Sequence, residues 1–99
     1  MKLLLFVTLL GVAASAYAAD NGQRLYASCA ACHGTAGAGI GGVLPRLAGQ
    51  PKGALADSMR AFKAGTRPAT IMQQIAKGYT EEQIEQIAAY LAAQPGPRK

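Results

Sequence analysis

Along residues 80–94 the apolar positions Ile84, Ile87, Ala88 and Leu91 recur at the three- and four-residue spacing of one helical face. Thr80 and Gln83 precede them as T-x-x-Q, the signature of a capping box, and Tyr79 and Ile84 occupy the positions of a hydrophobic staple. Glu81 and Glu82 fall in the first turn, where the positive end of the helix dipole favours acids. This segment predicts a helix that ends before the tail PGPRK, residues 95–99. A second amphipathic pattern, Leu55, Met59 and Phe62 at i, i+4 and i+7, predicts a helix from Pro51 to Ala64. It has proline in its first turn and Gly65 just past its end.

Two less marked segments complete the set. Asp20 to about Ala31 reads as helix, with Asp20 or Asn21 as its cap and Gly22, Leu25, Tyr26 and Cys29 near one face. A short helix over about Ala69 to Lys77 follows the loop GTRP, residues 65–68, and stops at Gly78. Between the first two helices lies GTAGAGIGGVLPRLAGQ, residues 34–50. It lacks the preceding strand and the closing GK[ST] of a phosphate loop, so a wrapping loop that brings backbone close to something flat is the expectation. Neither a period-2 strand pattern nor an internal repeat is present, and the fold class predicted is all-α with about four helices.

The N-terminus changes the domain picture. MKLLLFVTLLGVAASAYAAD has a positive start at Lys2, an apolar run from Leu3 to Ala14 and the small-x-small triplet Ala16-Tyr17-Ala18. That reads as a secretory signal peptide with cleavage expected after Ala18, which would leave residues 19–99 as one small domain. The apolar run is short for a membrane anchor, and the mature chain holds no other candidate span. A core this small is marginal without a staple, metal or cofactor. The formal charge is +5, or +4 once Lys2 leaves with the leader. The remaining basic residues are scattered without interleaved aromatics, which argues against nucleic acid and suits an acidic protein partner.

The candidate chemistry is concentrated in CAACH, residues 29–33, which holds both cysteines and the only histidine of the chain. A disulfide would form readily after export. A redox CxxC prefers a βαβ setting, absent here. Zinc needs about four ligands, and no further cysteine or histidine exists to complete them. Covalent haem c uses the whole string. Cys29 and Cys32, three apart on a helix, add to the two vinyl groups, and His33 binds iron. Export matches that reading. For a sixth ligand only Met59 and Met72 remain in the mature chain. Methionine is more often a core filler, a role Met59 fits between Leu55 and Phe62. Met72 shares a face with Ile75, Ala76 and Tyr79, but lies far enough beyond His33 to reach the other haem face, and is preferred. An open sixth site stays possible. His33 needs a carbonyl for its Nδ1–H, for which the loop around Pro45 is the candidate. Arg46 is either a haem-propionate partner or a solvated surface arginine.

With CAACH, the Pro45 loop and Met72 in this order, residues 22–93 resemble the class I c-type cytochromes. The likeness includes Gly22 and Tyr26 as G-x-x-x-Y and the aromatic Tyr90 in the last helix, positions that in the family pack those two helices together. It implies Pro45 as the carbonyl partner of the proximal histidine, within LPRLAGQ (residues 44–50), and Met72 as axial ligand. The stretch TIMQQIAKGYTEEQIEQIAAYLAAQ, residues 70–94, further resembles the haem subunit of flavocytochrome c sulfide dehydrogenases. That implies a one-haem periplasmic subunit taking electrons from a separate flavin-containing subunit. Free periplasmic cytochromes share much of the pattern, so a soluble shuttle to a terminal oxidase is the alternative. A gas- or peroxide-reactive haem protein is the reading from another class. No acid–base pair suggests a catalytic role of the chain itself, which points to a carrier rather than an enzyme.

Overall fold

The computed structural model describes residues 21–42 and 44–96. The expected leader, the Asp20 cap and the last three residues of the tail lie outside them. Among the described residues the chain is all-α: α1 (21–26), α2 (Ala30–His33), α3 (Lys52–Ala64), α4 (Met72–Ala76) and α5 (Glu81–Ala92), with a 3-10 turn at Thr35–Gly37.

The last helix forms as its pattern predicts. Gln83 N–H donates to Thr80 Oγ1 at 3.2 Å and Thr80 N–H to Gln83 Oε1 at 2.9 Å, closing the capping box. Ile84, Ile87, Ala88 and Leu91 are all buried, Ile84 completely. They form the core with Tyr26 of α1 and with Leu55 and Ala56 of α3. Helix α3 begins one residue later than expected, with Pro51 as its N-cap. Gly65, at φ 77°, closes it by donating to the carbonyls of Ala61 and Phe62. α3 packs on both α5 and α4. Arg60 of α3 also bonds Glu81 and Glu85 of α5, and Lys52 reaches Glu85 at 3.2 Å.

Two expectations need correction. The first helix is not continuous to Ala31. Residues 27–29 form a turn held by i→i+3 bonds, Ala27 N–H to Arg24 O and Cys29 N–H to Tyr26 O, and the helix resumes at Ala30. The break re-aims the motif relative to α1. The third helix starts at Met72, not Ala69. Thr70 and Ile71 are both β-branched and poor helix starters, and Ile71, at φ −135°, lies outside the helical region and supplies no side-chain cap.

α1 crosses α5 at close range. A Cβ on Gly22 would lie 2.5 Å from Gln86 O and 2.9 Å from Tyr90 Cβ, so no other residue fits without moving backbone. Asn21 Nδ2 donates to Gln86 Oε1 at 2.6 Å, and the Tyr26 and Tyr90 rings pack at 5.7 Å between centroids. The glycine-rich loop then wraps the end of α5. Gly37, at φ 75°, would place a Cβ 2.6 Å from Leu91 Cδ2, while its carbonyl accepts from both Leu47 and Ala48 N–H. Of these glycines Gly37 serves contact with α5, and Gly34 and Gly39 with the loop itself. Leu44, Pro45, Leu47 and Gln50, farther along, form the wall of the cavity described next.

Candidate functional site

The helices do not close on one another. They leave a cavity of about 380 Å³, a size typical of small-molecule sites. Its back wall is the core itself: Tyr26, Leu55, Ile87, Ala88 and Leu91. The turn at 27–29 contributes Ser28 and Cys29 and α2 contributes Cys32 and His33 to one wall, and the loop contributes Leu44, Pro45 and Leu47. α3 adds Met59 and Phe62, and the segment into α4 adds Ile71, Met72 and Ile75. The expected α3 stripe is therefore divided. Leu55 is in the core, whereas Met59 and Phe62 are half-buried because they face the cavity.

Both thiols of the motif are free, Cys29 half-buried and Cys32 exposed. Burial pushes the Cys29 thiol up from its ordinary value, partly offset by the neighbouring Ser28 and Tyr79 hydroxyls. Among the described residues no three His, Cys, Asp or Glu side chains gather where they could share an ion, so zinc finds no ligand set. His33 Nδ1 lies 3.3 Å from Pro45 O. With Nδ1 as the donor there, Nε2 is left as the nitrogen available to a metal.

Met59 and Met72 both border the cavity, but they are held differently. Met59 packs against the buried core cluster, while Met72 stands at the first position of α4, outside that cluster. Arg46 is occupied elsewhere. Its two terminal nitrogens donate to Ala38 O and Pro95 O, each at 3.2 Å, clasping the loop to the chain beyond α5. It does not line the cavity. The arginine that does is Arg67, which the sequence reading did not single out. The segments between helices carry another feature the pattern did not reveal: Leu44 and Ile71, both at the cavity, are 39% and 59% exposed, giving its mouth an apolar rim.

These residues fit a flat apolar cofactor. The walls are hydrophobic, two free thiols and an imidazole share one of them, and two thioethers stand on other helices. Comparison with known proteins gives the same answer. The family model for cytochrome c matches residues 19–94. This chain belongs to the cytochrome c family. Its cofactor is covalently bound haem c, and its function at the level the family defines is electron transfer.

Among curated relatives, this cytochrome is 46% identical over 66 residues to cytochrome c-552 of Acidithiobacillus ferridurans, covering 67% of this chain and 28% of that protein. It is 38% identical over 79 residues to cytochrome c-554(548) of Halomonas halodenitrificans, covering 77% of this chain and 95% of the relative. It is 41% identical over 71 residues to the cytochrome subunit of sulfide dehydrogenase of Chlorobaculum tepidum, covering 72% and 64%. The chain thus spans little over a quarter of the first of these relatives and nearly all of the second.

Proposed function

We propose that this cytochrome is an exported monohaem electron carrier whose iron is bound by His33 and Met72, and that it takes electrons from a flavin-containing, sulfide-oxidising subunit. The observation that carries the ligation is the single cavity bordered both by CAACH and by Met72. Haem, when bound, supplies a one-electron iron couple. The residues do the rest. Cys29 and Cys32 would hold the haem as thioethers, Cys29 from a half-buried and Cys32 from an exposed position. Pro45 O accepts from His33 Nδ1 and fixes the ring's tautomer, which raises the basicity of Nε2. Tyr26, Leu55, Ile87 and Leu91 would give the haem an apolar, water-poor wall. Met72 is preferred as sixth ligand because the core does not claim its side chain. Two thioethers at the cavity favour a filled sixth position over the open site of a gas- or peroxide-reactive protein.

Sulfide as the ultimate donor is supported by the likeness to a sulfide dehydrogenase cytochrome subunit, and a docking face by the apolar rim of Leu44 and Ile71. The leader over residues 1–18 supports export to the periplasm. Among the described residues no helix is long and apolar enough to cross a membrane. A free shuttle to a terminal oxidase is the second reading, favoured by the near-complete coverage of a relative named simply as a cytochrome. Purification of the tagged chain from native periplasm separates the two. A flavin-containing chain that copurifies and reduces the haem on addition of sulfide is expected. A cytochrome that elutes alone and is reduced by no flavoprotein fraction would leave the shuttle.

A further inference from the structure

One charge stands in the cavity wall. Among the residues that line it, Arg67 is the only arginine or lysine, and no aspartate or glutamate joins it. The titratable groups facing the same space are Tyr26, Cys29, Cys32 and His33, all from α1, α2 and the turn between them. α3, α4, α5 and the Leu44–Gln50 loop contribute none apart from the arginine itself.

The chain places Arg67 deliberately. Gly65 ends α3 in the left-handed conformation, and Thr66 and Arg67 N–H both donate back to Ala61 O. This reversal lays the guanidinium over the Phe62 ring, 4.7 Å from its centroid. One terminal nitrogen donates to Ser58 Oγ at 3.0 Å. The Arg67 carbonyl accepts from Gln73 Nε2 at 2.8 Å, which ties the same residue to α4, where Met72 stands. Stacked and bonded on one side, the guanidinium keeps further N–H donors free of protein acceptors among the described residues. A planar, pre-oriented fork with spare donors at the edge of an apolar cavity is suited to a carboxylate. Haem c carries two of them, its propionates.

We propose that Arg67 is the cationic partner of a haem propionate in this protein, the role the sequence had suggested for Arg46. Arg46 is instead the clasp between loop and tail. The inference rests on the haem assignment and adds a positioning residue to it. A fixed cation beside the porphyrin also disfavours the additional positive charge of ferric iron, so Arg67 raises the reduction potential.

The test uses intact wild-type, Arg67→Gln and Arg67→Lys holoproteins, with reduction potential measured from pH 4 to 9. Removing the cation should move the propionate-linked inflection of potential against pH upward by about one unit, and lower the potential at neutral pH. Lysine keeps the charge but loses the fork and the Phe62 stack, so the inflection should move part of the way. If Arg67→Gln does not assemble, that partial shift in Arg67→Lys decides the matter. An unmoved inflection and potential in the variants, even with a lowered melting temperature, would make Arg67 a helix-end brace only and overturn the proposal. Failure of the haem assignment is seen separately and first, as wild-type protein whose mass is that of the bare chain.

Discussion

Gly22→Ala is the sharpest probe of the packing that sets the haem motif in place. In isolation the change should help, because alanine in a helix is favoured over glycine by about 0.5–1 kcal/mol. Here the new methyl would sit 2.5 Å from Gln86 O and 2.9 Å from Tyr90 Cβ. The first of these is backbone of α5 and cannot rotate away. α1 and α5 must separate, loosening the Tyr26–Tyr90 contact and the Asn21–Gln86 hydrogen bond. Overpacking of this kind costs about 1–3 kcal/mol. After subtracting the propensity gain, a net loss of about 1–2 kcal/mol is expected, a fall of roughly 5–15 °C in melting temperature for a domain this small. Gly53→Ala is the control. Gly53 lies in α3 with nothing within 4 Å of its would-be Cβ, so the same substitution should stabilise there by about 0.5–1 kcal/mol. Thermal unfolding of the two holoproteins, followed by far-ultraviolet circular dichroism, reads both signs. A Gly22→Ala protein as stable as Gly53→Ala would refute the close crossing and the reasoning built on it.

Other consequences are as direct. Mass spectrometry of the mature holoprotein should give residues 19–99 plus one haem with no titratable thiol; a disulfide between Cys29 and Cys32, or two free thiols, would contradict thioether attachment. Lys52 first, and Arg60 with it, hold the Glu85 carboxyl below its ordinary value. A depressed acid stabilises the fold above its unfolded pKa of about 4.3, and that contribution disappears as pH falls through the lower folded value. Glu85→Gln should therefore lose stability relative to wild type at pH 7, with the difference shrinking on acidification and at high salt; melting curves from pH 7 to 3 that stay parallel would refute it. Ala31 is exposed beside Cys32, whereas Ala30 packs on the core, so only Ala31→Glu is a clean test of docking. It should slow reduction by the donor flavoprotein several-fold at low salt, leaving spectrum and melting temperature unchanged. Unaltered rates would place the docking face elsewhere.

The parts of this fold legible in the chain are those set by local rules. The T-x-x-Q box and the Ile84–Leu91 stripe define α5, and Gly65 defines the end of α3, because each depends on residues within a turn or two. The parts that were not legible depend on contacts distant in sequence. Nothing local announces the turn at 27–29 that interrupts the first helix, and the apolar period alone does not show that Ile71 leaves the helical region before Met72. The loop glycines were expected against something flat, but Gly37 is there for Leu91, more than fifty positions away. At the site, CAACH could be singled out because its chemistry is carried by residue type and spacing, and Pro45 because the family resemblance implies it. The two arginines could not be sorted that way. Whether Arg46 or Arg67 borders the cavity is decided by the chain reversal after α3 and by the clasp of the loop to Pro95, which the string of residues does not display. The same holds for Met59 and Met72, both of which reach the cavity while only one is gripped by the core.

That pair of methionines gives the most direct test of the central claim, that the iron is held between His33 and Met72. The measurement is the absorption spectrum of the ferric holoprotein, in particular the weak far-red charge-transfer band of an iron–methionine bond, in Met72→Ala and Met59→Leu. Met59→Leu nearly conserves volume and should cost under about 1.5 kcal/mol while keeping the band. Met72→Ala should abolish it, lower the reduction potential and open the iron to added cyanide or carbon monoxide, because the sulfur that favours ferrous iron is gone. The band lost in Met59→Leu and intact in Met72→Ala would contradict the assignment.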